Sequence, residues 1–110
     1  MTQAPLVASV VPELATRIEA ALRAQGEQRL AEQVPSLRIT RVCSCDQPYC
    51  GSFWTSSTPM KKWLIRGRHV EVADGGAGEL ALDVVRGQIA YVEVLHLNEV
   101  RDAVAALDAR

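Results

Sequence analysis

The chain has 110 residues, 48% apolar and 23% charged, with 12 Lys and Arg against 13 Asp and Glu and a formal charge of −1. That length makes one compact domain, residues 1–110, burying roughly two thirds of its unfolded surface without needing staples. Balanced charge argues against nucleic acid, which needs clustered Lys and Arg, and no apolar run approaches the ~18 residues of a membrane span.

Leu6 to Val11 is too short for a signal h-region, and Met1 to Pro5 carries no basic residue. An odd count of three cysteines favours a reducing cytoplasm over secretion. Ten Arg against two Lys, with abundant Ala and Val, looks like the usage of a GC-rich bacterial genome.

Residues 1–9 carry no period and are expected to fray or dock loosely. From Pro12 the pattern is helical: Leu14, Ile18, Leu22, Leu30 and Val34 form one apolar stripe. Ser9 is the expected N-cap, and Pro12 suits the first turn. Gly26 interrupts the stripe, either ending one helix and starting another or bending a long one. The reading taken is one long helix, stopped by Pro35.

The period then changes to two, with Leu37, Ile39, Arg41, Cys43 and Cys45 on one face. Asp46 to Tyr49 reads as a turn, and Cys50 to Thr55 as a returning strand. Lys61–Ile65 and His69–Ala73 are two further short strands, and Asp74 to Gly78 is a loop. Glu79–Val85 and Gln88–Leu97 form a hairpin about Arg86-Gly87. A two-residue turn pairs Val84 with Ile89 and Leu82 with Tyr91. The expected buried face is therefore Leu80, Leu82, Val84, Ile89, Tyr91 and Leu95, with Asp83 and Glu93 on opposite faces. Asn98 caps a last helix whose apolar stripe is Val100, Val104 and Leu107. The sum is an α+β fold: a long N-terminal helix, five to six mostly antiparallel strands in a curved sheet, and a short C-terminal helix.

The most distinctive chemistry is Cys43, Cys45 and Cys50, three thiols within eight residues. They could supply zinc with His69, His96 or Asp46 as a fourth ligand, but a single residue between the first two is tighter than structural zinc sites favour. A Cys45–Cys50 disulfide across the turn is a second option. Reduced thiols packing as small hydrophobes is the preferred reading, with no cofactor. His69 and His96 have no triad partner that the sequence can place. The glycine loop lacks the lysine and following helix of a phosphate cradle.

Four of the five aromatics, Tyr49, Phe53, Trp54 and Trp63, fall in one segment beside the thiols. They would either close one end of the core or form an anchor surface for a protein partner.

Cys43-Ser44-Cys45, Cys50-Gly51-Ser52-Phe53, Leu82 to Ile89 and Val92 to Leu95 together resemble small bacterial α+β domains, some of which are immunity proteins that neutralise a toxin. The resemblance implies a non-enzymatic protein that binds another protein or a second copy of itself, with no catalytic residue carried over. The alternative is a small metal- or thiol-dependent protein centred on the cysteines.

Overall fold

The N-terminal stripe folds as helical pieces, not as one long helix. In the structure, a computed structural model that describes residues 4–43, 47–56 and 67–108, these are α1 (Val7–Val10), α2 (Pro12–Ala24) and α3 (Gln28–Gln33), followed by a 3-10 turn at Val34–Ser36. The break comes from Gly26, whose φ of +81° lies in the left-handed region that glycine adopts without a Cβ penalty. There the Glu27 N–H donates to the Leu22 carbonyl (2.8 Å) and the Gly26 N–H to the Arg23 carbonyl (3.2 Å). This is the Schellman arrangement, which satisfies the last carbonyls of α2 and turns the chain. Pro12 takes the first helical position, but Val11, not Ser9, is the N-cap, and Ser9 lies within α1.

Nor do the described residues from Pro5 to Val7 dock loosely. Val7 is 1% exposed. Its N–H donates to the Leu37 carbonyl, the Ile39 N–H donates to Pro5, and Leu6 bridges Arg38. These pairings take up part of the strand expected from Leu37 to Cys45. Among the described residues regular strand is left only at β1 (Arg41–Val42), and Leu37 and Ile39 turn into the core.

β2 (Phe53–Trp54), β3 (Gly67–Glu71), β4 (Glu79–Val85) and β5 (Gln88–Leu95) complete a sheet of order β1-β2-β5-β4-β3 with every pairing antiparallel. The expected strand at Lys61–Ile65 lies outside the described residues. The β4–β5 turn is Arg86-Gly87, both with positive φ, as a two-residue hairpin requires.

Val84 faces Ile89 as predicted, but a bulge between Asp83 and Val84 then shifts the register by one, so Leu82 faces Val92 and Asp83 faces Tyr91. Val92 and Val94, both 0% exposed, therefore occupy the core in place of Tyr91 and Leu95, which turn to the other face half-buried. A shift of one residue exchanges the faces of a whole strand.

The core unites Leu14, Ile18, Leu22, Leu30 and Val34 of the helical half with Phe53, Val70, Leu82 and Val92 of the sheet. Val100 and Val104 of α4 (Asn98–Asp108) join them, so the helices share one side of the sheet. Two glutamines lock helices to strands by pairing with backbone as another strand would. Gln33 donates to Gly87 and accepts from the Ile89 N–H, while Gln25 donates to Glu71 and accepts from the Ala73 N–H.

Candidate functional site

On the sheet face turned away from that core, five register partners form one row, a residue from each strand: Arg41, Trp54, Tyr91, Asp83 and His69. Alternation along each strand places all five on this face. Neighbours in the row interact as directly opposed cross-strand pairs should. The Arg41 guanidinium lies 4.5 Å over the Trp54 ring. Trp54 meets Tyr91 edge-on at 4.7 Å. His69 Nδ1 is 2.9 Å from Asp83 Oδ1.

The next row carries Glu93, Ala81 and Glu71. Asp83 and Glu93 therefore share a face, against the expectation of opposite faces; the bulge is again the cause. A cleft of about 390 Å³ opens where this row meets the glycine loop, lined in part by His69, Glu71, Glu79 and Glu93. Its floor is fixed from α2, where Arg17 bonds Asp74 (2.6 Å) and the Ala77 carbonyl.

The charges tune one another. Asp83 raises the His69 pKa by hydrogen bonding and by its charge, with Glu93 and Glu71 adding to it against a smaller desolvation effect. The Arg17 hydrogen bond holds the Asp74 carboxyl down at about 2, with help from the Gly76 N–H. Burial pushes the Tyr91 hydroxyl well up; Ser52 offsets part of this, and Cys43 and Cys50 add to it. Ser52 beside that hydroxyl is fully buried, and its own hydroxyl accepts from the Val94 N–H.

The expected anchor surface is only partly assembled. Tyr49 is 38% exposed at the turn tip and stacks on His96 at 4.9 Å. Arg101 of α4 holds that turn by donating to the Pro48 carbonyl. Trp54 is half-buried in the row. Phe53 is a correction: it is 0% exposed, facing Val92 in the core, because neighbouring strand residues point to opposite faces. Trp63, Cys45 and Asp46 lie outside the described residues.

Among the described members of the expected zinc set, Cys43 and His69 are not brought together. Cys43 is a free thiol at the β1 end and His69 sits on β3, four strands away, roughly 19 Å at ~4.8 Å per strand. His96 is taken up by Tyr49. Among the described residues no group of three His, Cys, Asp or Glu converges as a metal site.

Arg41, Tyr91, Asp83 and Glu93 are the site residues that sequence reasoning missed. A signal was present: Ile89 is apolar at an odd position, whereas Val92 and Val94 are apolar at even ones around Glu93. That parity conflict within one strand marks a bulge, with Ala90 as the small residue to absorb it.

No family model, curated protein or solved structure matches this chain. Among the described residues no helix is long and apolar enough to cross a membrane.

Proposed function

We propose that this chain is a non-enzymatic interaction domain that docks another protein on the Arg41-to-His69 face. The single observation that carries the reading is the row itself. Half-buried Trp54 and Tyr91 occupy its middle, with Arg41, His69 and carboxylates outside them. Aromatic anchors within a charged rim are the composition of interface hot spots. Glu71, Glu79 and Glu93 around the cleft favour a partner with Lys or Arg at that end. The resemblance to immunity-type domains suggests a bacterial toxin as the kind of partner. Catalysis fits less well: Asp83 orients His69 as in a triad, but the groups around His69 are the carboxylates Glu71 and Glu93, not a nucleophile.

Photo-cross-linking in the producing cell tests the reading. A photoreactive residue at the exposed position Arg41 should capture one discrete protein, and the same residue at Glu32 on α3 should not. Adding Trp54→Ala to the Arg41 probe should abolish the adduct. Equal adducts from both positions, or none from either, contradict the reading.

The thiol reading is favoured by one observation: Cys43 and Cys50 are both half-buried thiols, on segments tied together by the Cys43 N–H donating to the Ser52 carbonyl. It predicts about one zinc per chain in untagged protein purified without chelator, one metal per site. Metal-free protein that stays folded after thiol alkylation contradicts it.

A further inference from the structure

Among the described residues β3 ends the sheet, and its ladder leaves a defined set of backbone groups facing outward. The Val72 N–H donates to Leu80, which makes Val72, Val70 and Arg68 the residues bonded to β4. Gly67, His69, Glu71 and Ala73 therefore direct their N–H and C=O groups away from β4. Gln25 already takes the Glu71 carbonyl and the Ala73 N–H. What remains is the N–H and C=O of Gly67 and His69 and the N–H of Glu71, with no hydrogen bond among the described residues. All three residues are exposed.

This residual set is self-complementary. From these groups we infer that a second copy of the chain pairs antiparallel along β3, about a twofold axis at His69. The two His69 residues exchange both backbone bonds, and each Glu71 N–H donates to the Gly67 carbonyl of the other copy. Four hydrogen bonds result, using every free group except the Gly67 N–H.

The ends of the seam match as well. Gln25 blocks extension past Glu71, and a two-fold copy presents opposite Glu71 its strand-initial Gly67, which has no side chain to collide there. At the axis the two His69 side chains stand directly opposite one another, each paired with the Asp83 of its own chain. Each His69 lies diagonal to the other copy's Glu71, within reach for cross-strand pairs. The charges that commonly protect an edge from association are neutralised within each chain: Arg68 by Glu27 at 2.8 Å and His69 by Asp83. An isologous contact of this kind closes at two subunits. It extends the sheet without covering the Arg41-to-His69 face, so it stands independently of the partner proposed for that face.

Sedimentation across a concentration series, paired with amide hydrogen exchange, tests the inference. The protein should pass from monomer to dimer and stop there. The His69 and Glu71 amides should gain protection as the dimer forms, whereas the Gly67 amide should not. Glu71→Pro removes only an outward N–H and leaves the β4 ladder intact, so it should be folded and monomeric where the parent is dimeric. Glu71→Gln keeps the N–H and should still dimerise. A parent that stays monomeric to millimolar concentration overturns the inference, as does a dimer whose His69 and Glu71 amides are unprotected. If Glu71→Pro fails to fold, the exchange pattern of the parent decides alone.

Discussion

His69 shows how much a single residue's meaning depends on its cross-strand neighbour. In the sequence it alternates with Glu71 and reads as solvated, and it is indeed exposed. The Asp83 carboxylate opposite it was invisible, because pairing between separate elements leaves no local pattern. The hydrogen bond to Asp83 raises the His69 pKa in the folded state. Its contribution to stability is therefore complete below the ordinary value near ~6.5 and is lost as pH rises through the raised value. With 54% of the His69 side chain exposed, the contribution should stay below ~1 kcal/mol. An NMR titration of the imidazole should find the midpoint above that of Asp83→Asn. Identical midpoints would mean that the pair does not form in solution. Phe53 and Trp54 make the same point by adjacency. Two neighbouring strand aromatics must face opposite ways, and only the partner strand decides which is core; Val92, opposite Phe53, decides it.

Among the elements, the β4–β5 hairpin was legible in place, turn and partners near the turn, because Arg86-Gly87 and the β-rich runs are local signals. Beyond Val84 the reading failed by one residue, since a bulge trades a paired residue for a change of face. Only Tyr91 and Leu95 leave the expected buried set: Leu80, Leu82 and Val84 on β4 are core in either register, and Ile89 precedes the shift. Leu82 is 0% exposed and packed between Val70 and Val92. Leu82→Ala should cost ~2–5 kcal/mol in chemical denaturation through lost burial and a cavity. A change within ~0.5 kcal/mol would place Leu82 at the surface. The helical half teaches a complementary lesson. Gly26 was seen as the decisive position, but its energetic cost in a helix interior could not be weighed against the carbonyls a left-handed cap satisfies. Gln25 and Glu27 beside it reach β3, which rewards breaking the helix there.

At the scale of the molecule, the α+β class, the antiparallel sheet and the C-terminal helix could be read from period and turns. The layout of the outer face could not, because it sums four registers and a one-residue error in any of them scatters the row. The N-terminal residues were misjudged for a related reason: Leu6 and Val7 have no period of their own and gain structure only against Leu37 and Arg38. The docking face depends on all four registers at once. Trp54→Ala decides it when folding stability and partner cross-linking from Arg41 are measured on the same protein. The account predicts a stability change under ~1 kcal/mol, since Trp54 lies outside the core cluster, together with loss of the cross-linked partner. A stability loss of ~3–5 kcal/mol with cross-linking retained at low temperature would contradict it, and would make Trp54 a core residue of the second face.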